Sequence, residues 1–154
     1  MYSFRFVHPS DLNWLGQATV LSAQESLTPE ERHQANPQAV AQLAWQELQR
    51  VLAEPGGMAV MATAWNQPVG FLLAAVNPDS STDEMNGALL SLWVAPAHRR
   101  RGLGKTLLRL GEDLCLRSGL RKMKIVAGLH NQAAVHMAQR AGYAPEGLIG
   151  IKSL

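Results

Sequence analysis

The sequence predicts a mixed α/β layer fold: one sheet of mixed strand direction carrying helices, in a single domain spanning residues 1–154. Three observations predict it. Segments in which apolar residues alternate with period two are interleaved with segments of helical period, in the order β-α-α-β-β-β-α-β-α-β. The helical segments after residue 27 are opened by capping signals or by glycine, and Gly or Pro closes the strongest of them. The chain has 154 residues, 47% of them apolar and 17% charged, which suits one globular domain with a real core.

The elements follow in order. Tyr2 to Val7 (YSFRFV) alternates as a half-buried strand does. His8-Pro9-Ser10-Asp11 breaks it, and Ser10 or Asp11 caps a short helix through Ala18. Thr28-Pro29-Glu30-Glu31 is a capping box with proline at the first helical position, and Asn36-Pro37 repeats the start signal. From Gln38 to Ala53, Val40, Leu43, Ala44, Leu48, Val51 and Leu52 recur at helical spacing until Pro55-Gly56-Gly57. Met58 to Trp65 and Val69 to Val76 read as an antiparallel hairpin turning at Asn66-Gln67-Pro68. Asn77 to Asn86 is a polar loop and Ala88 to Val94 a strand. Gly102 to Arg117 is a helix with Leu103, Leu107, Leu110 and Leu114 on one face. Lys122 to Leu129 is a strand, Asn131 to Ala141 a helix, and Tyr143 to Ile151 a last strand.

The net charge is only +2, so the high pI of about 9.0 reflects a small surplus of bases. Nucleic acid is not expected as a partner, because counterion release needs many clustered phosphate contacts. Cys115 is the only cysteine, which rules out an intrachain disulfide or a multi-cysteine metal site; at the edge of an apolar helical stripe it reads as a core thiol. Five scattered histidines without an HxxxH pair suggest no metal. The opening MYSFRFVHPSD lacks a signal-peptide pattern and no stretch reaches membrane-span length, so no membrane partner is expected and the expected location is the cytoplasm.

One stretch carries chemistry. His98 to Leu108 reads HRRRGLGKTLL, and its Gly-Leu-Gly-Lys-Thr resembles the end of a phosphate-binding P-loop. That loop needs a glycine five residues before the Gly-Lys pair, where this chain has Arg99. The three arginines alone, with no stacking aromatics or further basic run, make a poor nucleic-acid surface. The remaining reading is a diphosphate cradle. A strand ends at Val94, the chain turns through Ala95-Pro96-Ala97-His98, and a helix opens near Gly102. Its first N–H groups lack internal partners and lie at the positive dipole end, so an anion docks there. Gly102 and Gly104 leave room for it, and arginines add charge-assisted hydrogen bonds.

Leu92 to Gly104 (LWVAPAHRRRGLG) resembles the acetyl-CoA signature of the GCN5-related N-acetyltransferases, a strand ending in Val-x-Pro followed by Arg/Gln-x-x-Gly-x-Gly/Ala. Arg99, Gly102 and Gly104 fill its fixed positions. Downstream, Asn131-Gln132-Ala133-Ala134 and Gly142-Tyr143 resemble the family's Asn-x-x-Ala…Gly-Phe helix at the family's spacing. The resemblance covers most of the chain, strongest over Ala88 to Tyr143.

The resemblance implies a fold and a chemistry. The Ala88–Val94 and Lys122–Leu129 strands would run parallel and splay at their C-terminal ends, with the closing strands of the fold abbreviated. Acetyl-CoA would be the co-substrate, with no metal. Its pantetheine would bond free backbone near Leu92, Trp93 and Val94. Its diphosphate would sit on Arg99, Arg100, Arg101, Gly102, Leu103, Gly104, Lys105 and Thr106, and Asn131 and Ala134 would meet the pantetheine or thioester end. A backbone N–H at Trp93 or Val94 would bond the thioester oxygen. The acceptor, a primary amine of a small molecule or peptide, would enter against the N-terminal helices and the Asn77–Asn86 loop.

The family pattern is departed from at three places. The tyrosine that often protonates the leaving thiolate is Ala138 here, leaving His136, Tyr143 or water. No glutamate stands on Leu89-Leu90-Ser91-Leu92-Trp93, so His130 just past the next strand is the candidate base, with Glu25, Glu30 and Glu31 near the acceptor side. These losses make a catalytically weak acyl-CoA-binding or regulatory module the alternative to an enzyme. The short stretch after Gly142 has room for one closing strand, and an open edge invites pairing into a homodimer.

Overall fold

The computed structural model describes residues 1–154. Five strands form one sheet in the order β1 (Tyr2–Phe6), β2 (Met58–Ala64), β3 (Gln67–Pro78), β4 (Met85–Val94) and β5 (Met123–Ile125). The first four run antiparallel to their neighbours, and β4 and β5 run parallel. Helices α1 (Leu12–Ser26), α2 (Pro29–Gln34) and α3 (Pro37–Ala53) lie between β1 and β2 in sequence; α4 (Leu103–Arg117) joins β4 to β5, and α5 (Gln132–Arg140) follows. No helix is long and apolar enough to cross a membrane.

Two apolar layers flank the sheet. On one face Leu72, Val60, Ala62 and Val94 pack against Leu103, Leu107 and Cys115 of α4. On the other, Met61, Phe71, Leu73 and Trp93 pack against Leu15 and Ala18 of α1 and Leu48 and Val51 of α3. Cys115 is buried, and burial pushes its thiol up, as a core residue requires. Where α1 crosses α3, a Cβ on Gly16 would collide with the end of the Trp45 ring, so the indole occupies the space a side chain would need.

Several boundaries differ from expectation. The capping box at Thr28 and the Asn36 cap both form. But α1 runs eight residues past Ala18, to Ser26. No glycine or proline stops it, and its polar residues find partners: Thr19 Oγ1 donates to Leu15 O at 2.6 Å and Ser22 Oγ meets Ser91 Oγ at 2.9 Å. The hairpin turns one residue early, at Trp65 and Asn66, both left-handed with φ 48° and 65°. That is the conformation a two-residue hairpin loop needs. Pro68 therefore lies in β3, beside the register shift at Ala62/Thr63, where a missing N–H is tolerated.

The C-terminal end departs most. β5 holds three residues rather than the whole of Lys122–Leu129, and the strand expected over Tyr143–Ile151 does not form. Pro145, Gly147 and Gly150 interrupt it, and nothing covers its apolar residues: Leu148, Ile149 and Ile151 are all more than four-fifths exposed. A strand without a partner strand loses its hydrogen-bonding ladder.

Candidate active site

The site begins with a defect in β4. Leu73 pairs with Ser91 and Ala74 with Leu89, which leaves Leu90 as an extra residue. Such a bulge bends its strand. The parallel pairing with β5 covers Gly87, Ala88 and Leu89 and stops at the bulge. From Leu90 to Val94 the edge of β4 facing β5 is therefore unpaired, as the expected splay requires.

Alternation then decides which amides are free. Ala95 N–H donates to Val69 O of the β3 side at 2.8 Å. Residues two apart point the same way, so Trp93 also turns its amide toward β3, and the amides of Leu92 and Val94 face the gap. Of the two residues expected to supply a backbone donor there, Val94 is the one the register presents; Trp93 contributes its side chain instead.

The chain leaves β4 through a 3-10 turn at Pro96–His98 and enters α4. Arg100 (φ 63°) and Gly102 (φ 81°) are both left-handed, and Gly102 is the N-cap of α4. Alternating backbone of this kind gathers successive N–H groups into a concavity suited to an anion. Thr106 N–H is the first in the helix to find an internal partner, on Gly102 O at 3.0 Å. The amides of Leu103, Gly104 and Lys105 therefore lie open at the dipole's positive end. The two glycines have different reasons. Gly102 is needed for its φ, with nothing near it, whereas a Cβ on Gly104 would reach Met137 Sδ at 3.4 Å and Leu92 Cδ2 at 3.5 Å.

The cradle is narrower than the sequence suggested. Arg99 N–H already donates to Pro96 O at 3.3 Å, and Thr106 spends both its N–H and its hydroxyl on Gly102 O. Both drop out as main-chain donors. Arg99 also turns its side chain away. Its Nε donates to Val94 O at 2.7 Å, its Nη2 to Glu25 Oε2 at 2.9 Å and Oε1 at 3.1 Å, and its Cζ lies 5.8 Å from the Trp93 ring centroid. Arg101 donates to Tyr2 Oη at 3.2 Å, which also bonds His98 Nδ1 at 3.0 Å. Arg100 and Lys105 are exposed and form neither an ion pair nor a side-chain hydrogen bond, whereas Arg101 enters no ion pair but is held by Tyr2.

Across the gap, Asn131 caps α5: its Oδ1 accepts from Ala134 N–H at 3.2 Å, leaving its Nδ2 as a donor. His130 Nε2 donates to Ser26 O at 2.9 Å, joining the loop after β5 to the end of α1. Its Nδ1 lies against Gly128, where a Cβ would stand only 2.6 Å away. The imidazole thus has Nε2 engaged as a donor and Nδ1 left with a lone pair on an exposed ring. Tyr143 Oη donates to Glu112 of α4 at 3.2 Å, and burial with that carboxylate pushes the phenol well up, so it does not face the gap as a proton donor. His136 is exposed on α5.

Sequence reasoning placed Glu25 only on the acceptor side, because α1 was expected to end at Ala18. The structure carries it to the unpaired edge of β4: Trp93 Nε1 donates to Glu25 Oε2 at 3.2 Å. A cleft of about 400 Å³ opens beside it, lined by Leu21, Gln24, Leu27, Arg32, Pro37 and Val40 among others. The unbroken helical run from Leu12 to Ser26, free of Gly-Pro punctuation after Gly16, was the signal available.

The arrangement fits a long ligand with an anionic middle: open amides and unpaired cations at the start of α4, and an unpaired strand edge leading to Val94. Comparisons with known proteins bear on the family and the fold. A model described as the acetyltransferase (GNAT) family matches residues 20–143. A putative acetyl transferase from Pyrococcus furiosus superposes with a TM-score of 0.83 at 15% identity, covering 100% of both chains. The aminoglycoside N-acetyltransferase AAC(6')-Iy, in complex with CoA, gives 0.78 at 16% identity over 99% of this chain and 95% of its own. A protein described as a predicted acetyltransferase from Clostridium acetobutylicum, solved with acetyl-CoA, gives 0.76 at 14% identity over 99% and 96%. At these identities the structural likenesses speak to the fold.

Proposed function

This chain belongs to the acetyltransferase (GNAT) family, and from that premise we propose that it moves an acetyl group from acetyl-CoA to a primary amine of a small molecule or peptide. The observation that carries the reading is the continuity of three features along one segment: the unpaired edge of β4, the amide of Val94 at its end, and the open amides of α4 beyond Gly102.

The residues divide the work. Arg100, Lys105 and the amides at the start of α4 would hold the diphosphate. Leu92 and Val94 would bond the pantetheine arm and the acyl oxygen, with Asn131 and Ala134 across the gap. Acetyl-CoA supplies a thioester, an acyl group already activated for transfer. The Val94 N–H donates to the oxygen on which charge develops; removing one such donor from other acyl-transfer sites costs roughly a hundredfold or more in rate. Holding both reactants in one gap removes much of the entropic cost of encounter. The leaving sulfur does not require a side-chain acid: a thiol's pKa near ~8.5 lets a thiolate depart.

The experiment is calorimetric titration with acetyl-CoA followed by release of free CoA thiol with a panel of primary amines. Binding with amine-dependent release supports the transferase. Binding without release for any amine supports a non-catalytic acyl-CoA-binding module, and failure to bind overturns both readings.

A further inference from the structure

Glu25 stands at the junction of the two halves of the site. It lies in the last turn of α1, lines the cleft, and reaches the Trp93 indole one residue before Val94. Two donors hold its carboxylate: Arg99 Nη2 bridges both oxygens, and Trp93 Nε1 adds a second bond to Oε2. A carboxylate has about four lone-pair sites. Oε2 has two donors and Oε1 one, so Oε1 keeps an open lone pair. The side chain is 45% exposed, so that lone pair is reachable.

We propose that Glu25 receives the acceptor amine and takes its proton, with Arg99 as the residue that positions it, and that the acceptor is a single amine on an apolar body. This rests on the transferase reading. The amine nitrogen forms its bond to the acyl carbon as the carbon–sulfur bond breaks, with the electron pair leaving on sulfur. The excess proton on nitrogen passes to Glu25 Oε1 and from there to solvent.

The groups around Glu25 favour this assignment. Arg99 from the turn after β4 and Arg32 from α2, whose Nη2 donates to Glu25 O at 3.1 Å, are the neighbouring cations. Both discourage a second positive charge and favour an amine that attacks uncharged. His130 is the titratable group on the facing loop: its Nε2 donates to Ser26 O, which leaves Nδ1 with a lone pair, and it is the rival that the Glu25→Gln variant tests. Glu25 is the only carboxylate in the cleft lining, whose walls include Leu21, Leu27, Pro37 and Val40. A polycation would place a second ammonium there without a counter-charge.

The test uses the full chain with acetyl-CoA and either phenethylamine or kanamycin, following thiol release from pH 6 to pH 10. Wild type is expected to turn over phenethylamine in preference to kanamycin. Glu25→Gln is expected to lose about a hundredfold in kcat/KM, to recover as pH rises and the free amine accumulates, and to bind acetyl-CoA as wild type does, which shows the site is intact. Leu21→Lys, at an exposed cleft position, is expected to raise KM for phenethylamine about tenfold with kcat little changed. Wild-type activity retained in Glu25→Gln with an unchanged pH profile overturns the role of Glu25 alone. Preference for kanamycin overturns the acceptor class. Acetyl-CoA binding with no turnover of any amine by wild type overturns the transferase reading and this proposal with it.

Discussion

The indole Nε1 of Trp93 donates to the Glu25 carboxylate at 3.2 Å, tying the C-terminal end of β4 to the last turn of α1. That bond places an acid beside the splayed edge. Arg99 completes the triangle by bonding both Glu25 and Val94 O.

Arg99 is thus a brace for the strand end, with its side chain directed away from the cradle. Arg99→Ala should leave the acetyl-CoA dissociation constant within about fivefold of wild type, because an exposed ion pair is worth only ~0–1 kcal/mol. Arg100→Ala and Lys105→Ala together should weaken binding more and flatten its salt dependence. Titration calorimetry at two salt concentrations checks both. A larger loss from Arg99→Ala than from the double variant would return its guanidinium to the diphosphate.

Gly102 and Gly104 should separate by readout. Gly102→Ala forces a side chain into φ 81°, which costs about 1–2 kcal/mol, so its Tm should fall. Gly104→Ala meets only ordinary contacts at 3.4 and 3.5 Å and should keep its Tm. Gly104→Leu fills the approach to the open amides and should lose acetyl-CoA binding by tenfold or more. Thermal melts with and without ligand distinguish the effects.

Gly16→Val tests the seam beneath the acceptor cleft. The Trp45 ring occupies the space of the new side chain, so the indole must swing aside or α1 and α3 must part. Overpacking of this kind costs about 1–3 kcal/mol. Denaturant unfolding should show a lower midpoint with an unchanged slope. An unchanged midpoint would mean that the indole swings aside freely.

Asp11 should govern acid stability. Its carboxylate accepts from Arg5 Nη1 at 2.6 Å, Arg5 Nη2 at 2.9 Å and His8 N–H at 2.8 Å, with its side chain only 7% exposed. The Arg5 guanidinium holds the carboxyl below its usual range, helped by the His8 amide. A depressed folded-state value stabilises the fold above the unfolded value of ~3.9, and that contribution is lost as pH falls through the folded value. Asp11→Asn should therefore be destabilised by about 1.5–3 kcal/mol at pH 7, and the gap to wild type should close as pH drops below about 4. Equal gaps at pH 7 and pH 2.5 would contradict the ion pair's role.

The fold was legible where periodicity and capping were strong. The capping box at Thr28, the Asn36-Pro37 start of α3 and the apolar stripe of α4 all form as their residues require. The start of α4 at Gly102 was legible too, because a glycine's backbone requirement is local. What escaped depends on contacts between distant segments. The Leu90 bulge that opens the gap is a matter of register with β3, invisible in β4 alone. Arg99 counts as a phosphate ligand until α1 is known to run on to Glu25, 74 residues away in the chain. The apolar residues Leu148, Ile149 and Ile151 promised a strand, but pattern alone supplies no neighbour to pair with.

The proposed activity is acetyl transfer to an amine at the splayed edge of β4. The most direct measurement is the mass spectrum of a primary amine after incubation with the protein and acetyl-CoA, compared with the same mixture without protein. The amine is expected to gain one acetyl group in proportion to the CoA thiol released. An unmodified amine, with acetyl-CoA bound and intact, would contradict it.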